Sequence, residues 1–531
     1  MVNSNNLYEL IAVVLFTWLL YAVIFAPKKH NLFPVWATIE VALTSLIISS
    51  GGFARRILLS IRRYGGSLVG LTSKHQVLVN FPGAERLMSQ SYHSISAGPV
   101  HYTLFTRVFG ANDSPALKKK LEESYKSLLA PVERTYLNEA AAGAVIEKAD
   151  VPKMAASFVT FSSNRKSMMR WELSAAIRVI TPDTPDKPGV VEANLQSLVR
   201  DFGFCISTPL LYGQDFMDRY PQLLDDFWRF DNDLFPLLMI GLPKWAPLKI
   251  MKDGLAARAR LLDQMEALYR RIDQYQRGDS ADFGADMSDI SNTALERNKV
   301  YERENWSIKD RGVGDLTLLW GLNANTHPVL FWLLAYTYST PGLLERLREE
   351  TAPHIKLSQA HPPEIKSMDI ATLCRDCPLL KACLFETYRM SVEATSIRYI
   401  TEPISIEDGG CKRELKSGMF ISVPHSIIQR DSSVYADPDT FVPERFLEAD
   451  PETGKPAVRY GKLKPWGMGT AMCKGRKFAE KEIVSAGAAI LSLWDIDPAS
   501  GTWKLPAMAP GTGVKKPVED IRVVIKRRVS S

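Results

Sequence analysis

Cys473 stands at the centre of Lys464–Ile483, which reads KPWGMGTAMCKGRKFAEKEI. Gly467 and Gly469 permit backbone turns that other residues resist, and Gly475 lets the chain come close to something flat. From Arg476 the pattern turns helical. Phe478, Ala479, Ile483, Ala486 and Ala489 share an apolar stripe, with Glu480, Lys481 and Glu482 expected on other faces. A cysteine just ahead of a helix receives the positive end of the helix dipole, which favours thiolate over thiol. Such a thiolate attacks a substrate or binds a metal, although a buried free cysteine in a tight turn has the same local pattern.

Two other stretches carry polar groups where apolar ones are expected. Gly314–Ser339 reads as one long helix interrupted by Asn323, Asn325, Thr326 and His327. Buried amides and hydroxyls need partners, so such a cluster implies a water, a ligand or a broken helical bond nearby. Pro328 supplies the broken bond, because it lacks an N–H and clashes with the carbonyl of Ala324. The other stretch, Leu379–Met390, puts Glu386 and Arg389 on one helix face, a pair that alone decides nothing. It gains meaning from FVPERFL at Phe441–Leu447, which offers Arg445 as a second cation.

In their order along the chain, these motifs resemble those of the cytochrome P-450 superfamily. The resemblance implies a mainly α fold with a small β region, a single cytochrome P-450 domain behind an N-terminal transmembrane helix. It also implies haem b with Cys473 as the axial thiolate ligand, and Glu386, Arg389 and Arg445 as the buried cluster that fixes the loop before that cysteine. Trp466, where phenylalanine is usual, and Gly469 would line the cofactor. Ala471 replaces the usual basic residue of the loop, so Arg398, in the strand Ser396–Ile406, is expected to reach a haem propionate. Asn325 and Thr326 take the place of the family's acid and threonine pair and would handle protons, Thr326 as donor and Asn325 as an orienter that cannot ionise. An asparagine there, with Pro328 following, is similar to the branch of sterol and bile-acid hydroxylases and prostacyclin synthase.

The activity implied is oxidation of a lipophilic small molecule, terpenoid, steroid or polyketide-like, with O2 and electrons from an NADPH-dependent flavoprotein reductase. Lys462, Lys464, Lys474, Arg476 and Lys477 would steer that acidic partner. Alternatives are a haem-thiolate isomerase that rearranges a peroxide and a non-catalytic membrane haem or lipid-binding protein.

The rest of the chain positions these groups. With 46% hydrophobic and 23% charged residues, 531 residues can bury a large core, and a net charge of +6 is too weak to suggest nucleic acid. Six unevenly spaced cysteines give no disulfide framework, and the Cys374–Cys377 pair has no second half for a zinc site. Leu7–Phe25 carries Glu9 as its sole charge, and as a helix its 19 residues span about 28 Å, a bilayer's hydrocarbon thickness. Lys28 and Lys29 follow it, which puts the body in the cytosol, on the endoplasmic reticulum by the resemblance. Phe33–Ile48 carries Glu40 and is expected to lie at the membrane interface. The expected division is a 1–30 anchor, a 31–66 apolar and basic membrane-proximal segment, and a 67–531 haem-binding catalytic domain.

Ser67–Phe81 reads as a hairpin. Leu117–Leu129, Val190–Leu211, Tyr220–Leu238 and Leu255–Gln276 read as helices, and Trp503–Arg528 as a terminal hairpin whose Gly511–Gly513 turn approaches the substrate. The apolar connection around Pro243 and Pro247 would dip into the membrane or pack inside.

Overall fold

The computed structural model describes residues 68–528 except 73, 79–80, 92, 185–186, 361, 409–410 and 510–512, together with residue 33 and parts of 37–57. The expected anchor at Leu7–Phe25 lies outside the described residues, and among those described no helix is long and apolar enough to cross a membrane.

The architecture of the described residues is mainly helical with two larger sheets and three two-stranded ones. Helices Leu195–Tyr212, Ile308–Asn323, Thr326–Ser339, Pro378–Ser391 and Arg476–Leu493 pack around one apolar core, because their buried faces run almost all the way round them. The first sheet runs Leu68–Thr72, His75–Leu78, Phe420–Pro424, Thr395–Ile400 and Ile95–Ser96 in spatial order. The expected hairpin is its outer pair, with Val69 opposite Val77. The second sheet is antiparallel, in the order Trp494–Pro498, Arg522–Arg527, Val190–Asn194 and Arg178–Thr181.

That second sheet corrects two expectations. Val190–Asn194 is a strand, and the helix begins only at Leu195. Val190 and Val191 suit a pleated surface, and the ladder to Arg522–Arg527 satisfies their backbone groups. The C-terminal segment folds back on itself as expected only over residues 507–518, where Met508 bridges Pro517 and the Ala509 N–H donates to Lys516 O at 2.8 Å, whereas Arg522–Arg527 inserts between two other strands.

Glu40 is also placed differently from expectation. Ala37, Ile39, Glu40 and Val41 are helical, and Phe33 and Ala37 pack on Phe420. Glu40 is buried against His75 Nδ1, whose Nε2 meets Ser422 Oγ at 2.7 Å. The charge finds a partner in the first sheet, so this side of the second apolar run faces protein and not an interface. Arg55, from the basic cluster behind it, forms a two-point pair with Asp439 at 2.9 and 2.6 Å.

The connection around Pro243 divides the two readings given to it. Leu238 is buried and Phe235 stacks on Trp320 at 4.7 Å, whereas Trp245, Leu248 and Ile250 are exposed. Lys118 and Lys119, on the helix Pro115–Val132, pair along its surface with Glu122 and Glu123 as a solvated face does.

Candidate functional site

The loop before the cysteine helix is built on the glycines that the sequence singled out. Gly467 and Gly469 have φ of +79° and +68°, the left-handed region. A Cβ on Gly469 would also run into the carbonyl of Met88, so that position excludes every other residue. The loop closes by the Cys473 N–H donating to Trp466 O at 2.9 Å. Arg398 holds it from below: its Nη2 donates to Met468 O at 2.9 Å, while Ser396 Oγ accepts from the Met468 N–H at 3.3 Å. A loop pinned on both sides presents Cys473 in a fixed place.

Cys473 is exposed, yet the protein packed around its thiol excludes enough water to push it above its ordinary value, with the Gly475 N–H and then Arg476 pulling it back. The helix dipole therefore does not by itself leave a free thiolate there. A metal ion reverses that balance, because coordination deprotonates the thiol outright.

Glu386 is sealed in the core and accepts four hydrogen bonds. Arg389 Nε and Nη2 reach its two oxygens at 2.7 Å each, and Arg445 Nε and the Val442 N–H reach Oε1 at 3.0 and 2.9 Å. Arg389 spends its remaining donors on the carbonyls of Gln429, Pro438 and Thr440, and Arg445 on those of Ala436 and Thr440. The cluster fastens the helix Pro378–Ser391 to the segment 429–445. A guanidinium fork supplies several aimed donors at once, which a lysine cannot.

The central helix breaks where Pro328 dictates. One helix ends at Asn323 and the next starts at Thr326, with Val329 N reaching Asn325 O only at 3.4 Å. Thr326 Oγ1 bridges the break to Leu322 O at 3.3 Å. The Val514 N–H donates to Asn325 Oδ1 at 3.1 Å, which fixes the amide's orientation and leaves its N–H groups as the remaining donors. The C-terminal loop thus reaches the break itself, through Gly513 and Val514. His327 turns away from it: Nε2 meets Asn323 Oδ1 at 2.9 Å and Ser207 Oγ at 3.3 Å, and burial lowers it to about 3, so the ring is neutral.

The cysteine helix departs from expectation on its polar side. Lys481 and Glu482 are both buried. Lys481 pairs with Glu139 at 2.7 Å, but neither oxygen of Glu482 makes a hydrogen bond among the described residues. Burial raises Glu482 to about 8, an effect only tempered by the nearby Ser207 hydroxyl. The sequence had no signal for this, since a helix with several covered faces hides the position by packing and not by period.

The steering cations are largely engaged within the chain. Lys464 meets Glu85 at 2.8 Å, Lys474 meets Glu133 at 3.2 Å, and Lys477 meets Glu139 at 3.0 Å. Cys374 and Cys377 have no metal site around them, there being no group of ligating side chains among the described residues.

The residues present fit a haem. Arg398 and His425 are buried and each keeps one ring or guanidinium nitrogen, Nε and Nδ1, without a partner, as anion-binding donors would. His101 and Tyr125 stack at 5.1 Å, each under the electrostatic influence of one of these loop-side groups, Arg398 and Cys473 respectively. Neither histidine stood out in the sequence, because nothing in their local spacing marks them.

A helical core with a cysteine held in a pinned loop beside a broken central helix is the frame of a haem-thiolate protein. Residues 208–523 match the cytochrome P-450 family, and the chain belongs to that family, in which a cysteine thiolate ligates haem iron. A cytochrome P-450 monooxygenase of Penicillium oxalicum, poxD, is 26% identical over 64% of this chain and 65% of its own length. A cytochrome P-450 monooxygenase of Gibberella zeae is 27% identical over 59% of this chain and 58% of its own. The 25-hydroxycholesterol 7-alpha-hydroxylase of Rattus norvegicus is 26% identical over 56% of this chain and 71% of its own. The chain therefore spans about three fifths to two thirds of the length of the first two relatives.

Proposed function

We propose that this protein is a haem-thiolate monooxygenase of a lipophilic small molecule, with Cys473 as the axial ligand. The observation that carries the reading is the cysteine loop, whose backbone is pinned by Arg398 and Ser396 with donors of Arg398 and His425 left over. Arg398 Nε, His425 Nδ1 and His101 would hold the haem carboxylates, in place of the basic residue absent at Ala471. When bound, haem supplies the activation of dioxygen and the oxidation of an unactivated C–H bond. Thr326 would offer its hydroxyl as a hydrogen-bond donor at the helix break and order a water that delivers the proton, while the Asn325 amide would orient that water without ionising. Trp466 and Gly469 shape the wall of the loop.

Electrons come from an NADPH-dependent flavoprotein reductase, and an anchor at Leu7–Phe25 places the 67–531 catalytic unit on the cytosolic face of the endoplasmic reticulum. The exposed Trp245, Leu248 and Ile250 supply a second apolar contact with that membrane. The fungal monooxygenases and the sterol hydroxylase among the relatives support an apolar terpenoid, steroid or polyketide-like substrate.

Reconstitution with reductase and NADPH tests the reading. The reduced protein should show the carbon monoxide difference band near 450 nm that marks a thiolate-ligated haem (from general haem chemistry), and labelled dioxygen should enter the product. Cys473→Ala should lose the band. Thr326→Ala should keep it while consuming NADPH with less product formed. Turnover that needs neither reductase nor NADPH would reject the monooxygenase reading.

A further inference from the structure

The aromatic residue ahead of the cysteine is a tryptophan, and it brings one hydrogen-bond donor that a phenylalanine would not. That donor is already committed. Trp466 Nε1 donates to Tyr460 Oη at 3.0 Å, and the Tyr460 hydroxyl in turn donates to Glu480 Oε1. Tyr460 lies flat on Phe385, with ring centroids 3.9 Å apart and planes 13° from parallel. Tyr388 meets Trp466 edge-on at 5.1 Å, so both rings of the chain are held by neighbours as well as by hydrogen bonds. The backbone of Trp466 is tied to that of Cys473 by the bond that closes the loop. The sulfur takes its own backbone donor from Gly475.

We propose that Tyr460, held by Glu480, is a positioning residue that keeps the Trp466 indole N–H away from the Cys473 sulfur and so leaves the thiolate a strong electron donor. This rests on the reading of Cys473 as the iron ligand. Hydrogen bonds to a ligating sulfur draw off its charge and raise the reduction potential of the iron it holds. An indole N–H in the same closed loop as the sulfur would have that effect if it were free to turn toward it. Tyr460 removes the freedom by accepting the N–H, and Glu480 fixes the direction of the acceptor by taking the hydroxyl hydrogen. The tyrosine hydroxyl thereby has one role at each end, acceptor from the indole and donor to the carboxylate, and no other residue in the loop duplicates it.

The test uses the full-length holoprotein, reading the ferric/ferrous midpoint potential by spectroelectrochemistry and the position of the reduced carbon monoxide band. Tyr460→Phe keeps the ring stacked on Phe385 but removes the acceptor. It should move the potential to a more positive value and the band to shorter wavelength. Glu480→Gln should shift both the same way by less, because an amide oxygen still accepts from Tyr460. Adding Trp466→Phe to Tyr460→Phe should bring both readings back toward wild type, since no indole N–H then remains. The proposal is overturned if Tyr460→Phe leaves potential and band unchanged or moves them the opposite way, or if the double variant stays as displaced as Tyr460→Phe. A wild-type protein without the thiolate band would instead reject the underlying assignment of Cys473, before any variant is measured.

Discussion

Glu386 and Glu482 are both sealed in the helical core, at 0% and 2% exposure, and their surroundings differ in kind. Around Glu386 both oxygens are met by donors, and two arginines carry the connection on to four backbone carbonyls. Around Glu482 no donor among the described residues makes a hydrogen bond to either oxygen; the nearby Ser207 hydroxyl spends its hydrogen on Gly203 O or Asn323 Oδ1. A buried carboxylate whose oxygens are met by donors acts as a brace, whereas one without partners holds its proton and acts as a neutral acid. The first is a mechanical joint between the helix Pro378–Ser391 and the segment 429–445. The second lies in a polar pocket of the core shared by Ser207, Asn323 and His327, behind the helix break.

Removing one side of the brace should have the largest effect. Glu386→Ala leaves two guanidinium groups facing an empty position and should cost about 3–5 kcal/mol. The expected result is protein that fails to retain haem, read as loss of absorbance together with a lowered urea midpoint; a normal spectrum would break the comparison. Arg389→Lys keeps the charge but loses the fork, and the loss of charged hydrogen bonds should cost about 2 kcal/mol, with haem retained at low temperature.

Glu482 should respond to pH and not to deletion of a partner. Its value in the folded protein, about 8, lies above the ordinary 4.5, so the folded state holds this proton longer than the unfolded chain does. The stability it allows is complete below pH 4.5 and is lost as pH rises toward 8. Tyr136, which Glu482 influences in return, is itself held protonated by burial and adds no charge to that window. Glu482→Gln removes the penalty, so the variant should outlast wild type at pH 8 and differ little at pH 5 in thermal unfolding. Equal behaviour at both pH values would sink the distinction. The smallest effect is expected at Lys474 and Lys477. Their pairing with Glu133 and Glu139 is exposed, so charge reversal should change stability by less than about 1 kcal/mol while raising the salt-sensitive apparent KM for reductase.

The brace was legible in the sequence and the neutral acid was not, for a physical reason. Glu386, Arg389 and Arg445 are legible through the resemblance of a Glu-x-x-Arg helix and a Pro-Glu-Arg-Phe turn to the family's motifs, since the i,i+3 spacing alone decides nothing. Likewise Gly467 and Gly469 announce turns, and Pro328 announces the break, because each acts on its own backbone. Glu482 lies among Glu480 and Lys481 in what reads as a solvated face, and the packing of helices Thr326–Ser339 and Glu139–Glu147 on this one, with Ser207 brought near, decides otherwise. Tyr460 gives no sign of its role for the same reason, its partners Phe385, Trp466 and Glu480 coming from three separate stretches. Val190–Asn194 reads as helix in the sequence but is a strand, one of whose two partners, Arg522–Arg527, lies more than three hundred residues away.

The contact between the C-terminal loop and the helix break has a practical consequence for anyone recombining this protein with its relatives. A side chain at Gly513 would start 2.8 Å from Asn325 Oδ1, so the loop sits against the amide with no room for a Cβ. Exchanging the tail to alter selectivity therefore also re-seats Asn325, and a chimaera that imports a bulkier residue at 513 must import its own partner for position 325. Loop and helix behave as one exchangeable module, although 188 positions of sequence separate Asn325 from Gly513.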